Sequence, residues 1–274
     1  MNVGIIGCGN LGSAVARLIS KNLSFGDHLT ISDPNSSSKQ LKELQNFKKV
    51  SNRESISSSD ILFLCTKPTD IVKVLDDINS SHIEKNISPP SDQLIVSCAA
   101  GISLNYLQAC LDLNYPIIRM MTNLPIAHHQ GAITYITGPF LPKETISSKF
   151  IEIMKGPMLL RVGNEKLLDV STVLTGCMPA YTAFLSEEMI EFGISQGFTY
   201  EQSRDLYRAT VTGTMEMLKH STSEEIIDAV SSPNGVTAQG ISFLETSGIR
   251  AILSSTMYKS YSAISSLSSI KNQD

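Results

Sequence analysis

The regular alternation of short apolar runs and helical stretches in the first half of the chain most constrains its fold. The helical stretches cover residues 10–21, 38–46, 69–79 and 103–112. The apolar runs are rich in Ile, Val and Leu and are bounded by Gly, Pro, Asn, Asp or Ser, as buried parallel strands are; they cover residues 2–6, 28–32, 60–65, 93–97 and 117–120. This alternation predicts a parallel sheet with right-handed crossovers, and residues 133–136 and 158–162 are expected to add edge strands.

The strand pattern ends near Val162, and the rest of the chain is predicted to be helical. Residues 181–196 are apolar nearly all round except for three glutamates, which indicates a helix buried on most of its circumference. We therefore predict an α/β Rossmann-like domain over residues 1–162 and an all-helical domain over residues 163–274. A terminal helix carries one apolar stripe at steps of three and four residues: Ile249, Leu253, Met257, Tyr261, Ile264 and Leu267.

The helix over residues 181–196 is too apolar to be covered by its own small domain. This predicts a homodimer or larger homo-oligomer through the helical domain.

The composition limits which other kinds of partner are expected. Of 274 residues 42% are hydrophobic, and the net charge is −4, so neither a disordered chain nor a nucleic-acid partner is expected. No apolar run approaches the roughly 20 residues of a membrane span. The start has no basic segment before its apolar run, and the five cysteines form no C-x-x-C pair, which predicts a reduced cytoplasmic protein without a metal site.

A G-x-G-x-x-G pattern directly follows the first predicted strand and begins the first predicted helix. In this context Gly7 permits a tight turn, Gly9 lets a pyrophosphate approach the backbone, and Gly12 allows close packing of helix on strand. The phosphates are expected at the positive end of the helix. The predicted dinucleotide loop is Gly7, Cys8, Gly9, Asn10, Leu11 and Gly12.

Asp33 ends the second predicted strand, where an acid usually binds the adenosine ribose and repels a 2′-phosphate. The next residues, 34–39, offer three serines and Lys39, which are able to hold that phosphate instead. The sequence leans towards NADH and leaves NADPH open.

Further candidates stand where the later strands end, because sites in such sheets gather at the carboxyl ends. Small residues after the fourth run let a nicotinamide ribose lie close to the backbone, and Lys67 and Asn123 are polar groups placed to bind it or the substrate. The candidates in this group are Thr66, Lys67, Pro68, Ala99, Ala100, Gly101 and Asn123.

Together these segments resemble one family, the pyrroline-5-carboxylate reductases, and do so in order over nearly the whole chain. GIIGCGNLGSA resembles the dinucleotide loop of the family, CTKP its V-K-P turn, SCAAGIS its S-x-A-A-G-I segment, and RMMTNLPIAHHQGA its R-x-M-P-N-x-P stretch. LTGCMPAYTAFLSEEM resembles the G-S-G-P-A-Y helix start, and VSSPNGVTAQGISFLETSGIRAIL the T-S-P-G-G-T-T segment. The last two motifs are the more specific.

The resemblance implies an oxidoreductase that reduces the cyclic imine 1-pyrroline-5-carboxylate to L-proline with NADPH or NADH, the last step of proline biosynthesis. It implies a pocket between the sheet domain of one subunit and the helical domain of its partner. Thr237 and Ser232 are the implied catalytic residues, with Thr237 bonded to the ring nitrogen and Ser232 framing the loop. Backbone N–H groups at the start of a helix over residues 236–245 suit the substrate carboxylate. The implied substrate-binding residues are Asn234, Gly235, Val236, Thr237 and Met178.

Three departures from the family pattern leave alternatives open. Met178 replaces a glycine of G-S-G-P, Asn234 replaces the first glycine of S-P-G-G, and Thr122 replaces the proline of M-P-N. The alternatives are a non-catalytic or divergent paralogue that binds a dinucleotide as a regulatory module, and a carbonyl reductase resembling the β-hydroxyacid dehydrogenases. The second usually needs a lysine on the interdomain helix, and residues 181–196 contain none.

Overall fold

One eight-stranded sheet forms the first part of the chain, as the alternation predicts. The computed structural model describes residues 1–34, 44, 46–83, 93–140 and 143–271. The strands are β1 (Asn2–Ile6), β2 (His28–Ser32), β3 (Lys48–Lys49), β4 (Ile61–Leu64), β5 (Leu94–Ser97), β6 (Ile117–Thr122), β7 (Ala132–Thr137) and β8 (Met158–Arg161).

The sheet has the order β3-β2-β1-β4-β5-β6-β7-β8, and its first six strands are parallel. Strand β7 runs antiparallel to β6 and β8 runs parallel to β7, so the sheet is mixed and not wholly parallel as predicted. The cause is the short connection over residues 123–131, because a parallel crossover needs a dozen residues or more. Strand β8 forms the sheet edge and β7 lies beside it.

Helices cover both faces of the sheet and bury its apolar side chains. On one face Val15, Leu18 and Phe150 join the core, and on the other Leu75 and Leu107 do so. The predicted helix over residues 38–46 falls outside the described residues except at 44 and 46. The helices here are α1 (Asn10–Asn22), α2 (Asn52–Ser58), α3 (Ile71–Ile83), α4 (Leu104–Ala109), α5 (Glu144–Ile153) and α6 (Glu165–Ser171), with 3-10 turns at Pro68–Asp70 and Leu124–His128.

After β8 the described chain is helical throughout, as predicted. Residues Thr172–Cys177 form a π-helical segment, which we call the π-turn. The remaining helices are α7 (Met178–Ser195), α8 (Tyr200–Met217), α9 (Ser223–Val230), α10 (Val236–Thr246) and α11 (Ile249–Lys271). Helices α8 and α9 begin with capping boxes at Thr199 and Thr222, in which side chain and backbone satisfy each other's hydrogen bonds.

The chain divides into two compact units, Met1–Pro179 with Ser260–Asp274, and Ala180–Lys259. The predicted limit after residue 162 lies one residue beyond the end of β8, whereas packing extends the first unit to Pro179. Helix α6 holds this extension against the sheet, because Arg119 of β6 pairs with Glu165 and Asp169.

Helix α7 exposes much of its apolar surface in the single chain. None of its residues is buried, and Phe184 and Phe192 are 69% and 68% exposed. Within the single chain this helix is therefore not buried as predicted. In the described part of the chain, every helix lacks the length or the apolar character that crossing a bilayer requires.

Candidate functional site

The glycine loop joins β1 to α1 at the carboxyl edge of the parallel strands. Gly7 has a φ of 90° and its N–H donates to the carbonyl of Ser32 at 2.9 Å. A Cβ on Gly12 would lie 2.0 Å from the carbonyl oxygen of Gly7, whereas a Cβ on Gly9 would have no atom within 4 Å. Gly12 thus allows the helix to touch the loop, and Gly9 leaves open space beside it.

Helix α1 begins beside this space without a side-chain cap on its first turn. Such a helix start presents backbone N–H groups and a partial positive charge, which is the usual seat of a phosphate. Asn10 is exposed and Leu11 is half-buried there. The loop therefore has the shape and polarity that the sequence predicts for a dinucleotide.

Asp33 at the end of β2 is tied to the loop. Its Oδ2 atom accepts the N–H of Cys8 at 2.5 Å, which fixes the carboxylate at the rim of the loop. Burial, together with the charge of Asp33, raises the pKa of the Cys8 thiol to about 11. Cys8 is 1% exposed, so it fills space in the loop as a neutral thiol.

A cleft of about 800 Å³ runs along the same edge, within the range of sites for small molecules and cofactors. Gly7, Asp33 and Thr66 of the predicted set line it. The Oγ1 atom of Thr66 is buried and has no hydrogen-bond partner among the described residues. A buried hydroxyl without a partner is costly, and a bound ligand with polar groups would satisfy it.

The cleft also contains residues that the sequence interpretation missed. Asn52 accepts a hydrogen bond from the Ser32 hydroxyl at 2.7 Å and donates to Asp77 at 2.8 Å. Arg53 and Lys73 add positive charge to the lining. An S-x-x-E pattern in the sequence could have indicated the helix start that carries Asn52 and Arg53. In this pattern Ser51 caps α2 by accepting the N–H of Glu54.

The other predicted strand-end residues lie at the same edge of the sheet, after β4 and β5. Lys67 is exposed and Pro68 begins a 3-10 turn. Ala99 and Gly101 are buried, and Gly101 has a φ of 72°. Ala100 is half-buried between them. Contacts of these residues with a cofactor stay a prediction.

Asn123 follows β6, and its side chain bonds to the protein itself. Its Nδ2 donates to the carbonyl of Thr175 at 3.2 Å, and its Oδ1 accepts the N–H of Ala132 at 3.4 Å. The predicted contact with a cofactor would have to compete with these bonds.

The implied substrate loop forms a tight turn before α10 in the second unit. The N–H of Gly235 donates to the carbonyl of Ser232 at 2.9 Å, and a Cβ on Gly235 would lie 2.3 Å from the Ser232 hydroxyl. Helix α10 begins after Gly235 without a side-chain cap. Val236 is 90% exposed and Thr237 is exposed, so the first turn of α10 is open to a ligand.

The structure describes the surroundings of all three residues that depart from the family pattern. Asn234 has a φ of 57°, the left-handed conformation that asparagine tolerates better than most residues. Thr122 donates its hydroxyl to the carbonyl of Ala132 at 3.0 Å and continues β6. Met178 begins α7 and is 39% exposed.

Two family models match the chain in succession. Residues 2–101 match the family described as NADP oxidoreductase, coenzyme F420-dependent, and residues 165–267 match the family described as pyrroline-5-carboxylate reductase dimerisation. The second match covers the helical part of the chain, so this part is a dimerisation region and supports a homo-oligomer.

Relatives and solved structures agree with the second of these matches. Pyrroline-5-carboxylate reductase 2 of Rattus norvegicus is 30% identical over 100% of this chain and 86% of the rat protein. Pyrroline-5-carboxylate reductase of Corynebacterium melassecola is 30% identical over 90% of this chain and 92% of its own. The Plasmodium falciparum pyrroline carboxylate reductase with NADP bound has a TM-score of 0.85 at 23% identity, covering 98% of both chains. The Streptococcus pyogenes 1-pyrroline-5-carboxylate reductase has a TM-score of 0.81 at 26% identity, covering 97% of this chain and 98% of its own.

Proposed function

Since the chain belongs to the pyrroline-5-carboxylate reductase family, we propose that it reduces 1-pyrroline-5-carboxylate to L-proline with NADH or NADPH. The observation that carries the proposal is the glycine loop, where the close contact at Gly12 and the open space at Gly9 form a cradle for a diphosphate. The reaction would be the last step of proline biosynthesis.

The residues at the carboxyl edge fit a dinucleotide. The first turn of α1 would bind the diphosphate, and the Thr66 hydroxyl would gain the partner that it lacks among the described residues. Asp33 would lie near the adenosine ribose, where its charge favours NADH over NADPH. When bound, the reduced nicotinamide supplies a hydride to the imine carbon.

The loop before α10 would bind the substrate. The open first turn of α10 offers backbone N–H groups to the carboxylate, and the exposed hydroxyl of Thr237 would hydrogen-bond the ring nitrogen. Ser232 holds the turn through its carbonyl bond with Gly235. Because a protonated imine already accepts electrons, the protein mainly has to orient the ring and hold its carboxylate.

The same loop bears on the non-catalytic alternative. Asn234 adopts the left-handed conformation that a glycine at this position would adopt freely. The substitution therefore keeps the shape of the turn, and it adds only a side chain beside the open helix start. This departure gives the non-catalytic alternative little support.

We further propose a homodimer or larger homo-oligomer held by the helical region, and a location in the cytoplasm. The exposed phenylalanines of α7 support the assembly, because an apolar surface of this kind is usually covered by a partner. Light scattering on the purified protein should give a mass of two or more chains. Phe192→Glu should lower that mass, and a monomeric parent protein would contradict the assembly.

Turnover of the imine tests the proposed function directly. The protein is mixed with 1-pyrroline-5-carboxylate and either NADH or NADPH, and the loss of reduced-nicotinamide absorbance is followed. Turnover above a reaction without protein is expected, and its absence with both cofactors would refute the proposal.

Thr237→Ala tests the substrate assignment, and Thr246→Ala at the other end of α10 is the matched control. Losing one hydrogen bond to a charged group should cost about 1.5–3 kcal/mol, or more than tenfold in kcat/KM for the imine. Among the described residues, the Thr246 hydroxyl donates to the carbonyls of Ser242 and Phe243 in its own helix, so its variant should stay within twofold of the parent. Equal kcat/KM values for the two variants would remove Thr237 from the site.

A further inference from the structure

The π-turn begins directly after α6 and ends two residues before the proline of the G-C-M-P motif. Pro179 has no N–H group, so this part of the helical chain lacks one backbone donor. The carbonyl of Thr175 within the π-turn accepts the Nδ2 hydrogen bond of Asn123 at 3.2 Å. A side chain from the end of β6 therefore binds the backbone of the π-turn directly.

The surroundings of Asn123 are built to hold its carboxamide in place. The other end of the amide accepts the N–H of Ala132 at the start of β7. Gly131 has a φ of 87°, and a Cβ there would lie 2.3 Å from the Oδ1 atom of Asn123. The glycine thus lets the β7 backbone approach the amide closely, and both ends of the amide have a protein partner.

The π-turn runs along the end of β6. The nearest atom of β6 to a Cβ built on Gly176 is the carbonyl oxygen of Thr122, at 3.9 Å. Strand β6 pairs with β5, with Arg119 opposite Ser97, and β5 leads into the residues where the nicotinamide is expected. The amide of Asn123 therefore fixes the π-turn beside the nicotinamide end of the proposed site.

Helix α6 has its own attachment to the sheet. The hydroxyl of Ser171 lies 2.5 Å from that of Thr134 on β7, and Asp169 pairs with Arg119 at 3.3 Å. Loss of the Asn123 bond should therefore release the π-turn while α6 stays attached.

We propose that Asn123 is a positioning residue, whose carboxamide holds the π-turn against the end of β6 and does not contact the cofactor. The proposal rests on the proposed imine reduction for its catalytic consequence. Because a small misplacement of the groups around a reacting centre costs much of the rate, releasing the π-turn should slow turnover and leave cofactor affinity unchanged.

Asn123→Asp is the matched probe, since it keeps an oxygen for the N–H of Ala132 and removes the donor to Thr175. Thr122→Val is the control, because it removes the side-chain hydrogen bond to Ala132 next to Asn123 and keeps the bond of Asn123 to the π-turn. Three quantities are measured for each protein: kcat/KM for the imine, the Kd for NADH, and hydrogen exchange of the peptide over residues 172–178.

Asn123→Asp is expected to lower kcat/KM about tenfold or more and to speed exchange of the π-turn about tenfold, with the NADH Kd within twofold of the parent. Thr122→Val should stay within twofold in all three. Unchanged exchange, or an NADH Kd raised tenfold, would overturn the proposal. If the parent reduces no imine, the proposed function fails, and exchange and NADH affinity still decide the role of Asn123. If the aspartate prevents folding, Asn123→Ala replaces it; this variant introduces no charge but removes the bond from Ala132 as well as the bond to Thr175, and the same three quantities are measured.

Discussion

Replacing Gly12 by alanine tests why a glycine stands at the third position of the loop. A Cβ there would lie 2.0 Å from the carbonyl oxygen of Gly7 and 3.2 Å from the Cβ of Cys65. Carbon–oxygen contacts are ordinarily about 3.3 Å or longer, so α1 would have to move away from the loop by about 1.3 Å. The first neighbour is backbone, which cannot turn aside as a flexible side chain would.

The expected change in unfolding free energy is the balance of two effects. Alanine within a helix is favoured over glycine by about 1 kcal/mol, whereas overpacking a tight contact costs about 1–3 kcal/mol. Gly12→Ala should therefore destabilise the protein by up to about 2 kcal/mol. Urea unfolding of parent and variant measures this difference, and a fluorescence titration with NADH measures the cofactor Kd.

Gly9→Ala is the matched control in the same loop. Its Cβ would meet no atom within 4 Å, and its φ of −72° suits any residue. The variant should lose less than about 1 kcal/mol of stability, the usual difference between residues at a helix N-cap. The methyl group would occupy the space left for the diphosphate, so the NADH Kd should rise at least tenfold. A Gly12→Ala protein as stable as the parent, or a Gly9→Ala protein with an unchanged Kd, would refute this reasoning.

Three further predictions concern other positions. Asp33→Asn keeps an oxygen for the N–H of Cys8 and removes the charge; the ratio of kcat/KM for NADH to that for NADPH should fall at least tenfold, and an unchanged ratio would show that Asp33 does not discriminate. Asn234→Ala should lower stability in thermal unfolding by about 1 kcal/mol because of its φ of 57°, and Asn234→Gly should not; equal losses would contradict the strain. Burial alone would raise the pKa of Asp27, but hydrogen bonds from Lys149 and the terminal ammonium lower it to about 2 from the usual 3.8. Its contribution to stability should be complete above about pH 4 and lost as the pH falls towards 2, so the Tm values of parent and Asp27→Asn should converge there. Parallel Tm curves would contradict this.

The central strands of the sheet could be predicted from sequence because each is a continuous apolar run between turn residues. Strand β3 could not, since its two lysines carry no apolar signal and pair only through the register with β2. The reversal of β7 depends on the length of the chain that connects it to β6. The apolar pattern of a strand indicates that the strand exists and does not indicate its direction, so the reversal was not predicted.

The candidate site could also be predicted only in part. The glycine loop could be predicted because its steric rules act between residues a few positions apart. Asn52 was missed because its partners, Ser32 and Asp77, are 20 and 25 residues away and meet it only in the folded sheet. Asn123 was predicted at the right edge, but its bond to Thr175 spans 52 residues and was not visible in the sequence.

The reversed direction of the last two strands decides where the chain leaves the sheet. The first six strands end at the cofactor edge, whereas β7 and β8 end at the opposite edge, so the chain leaves β8 at that opposite edge. Helix α6 then returns towards the cofactor edge, from Glu165 beside Arg119 to the π-turn beside Thr122. If β8 ran parallel to β6, helix α6 would start at the cofactor edge and would lead the chain to the opposite edge. The antiparallel pairing of β7 with β6 therefore decides which edge residues 172–177 reach.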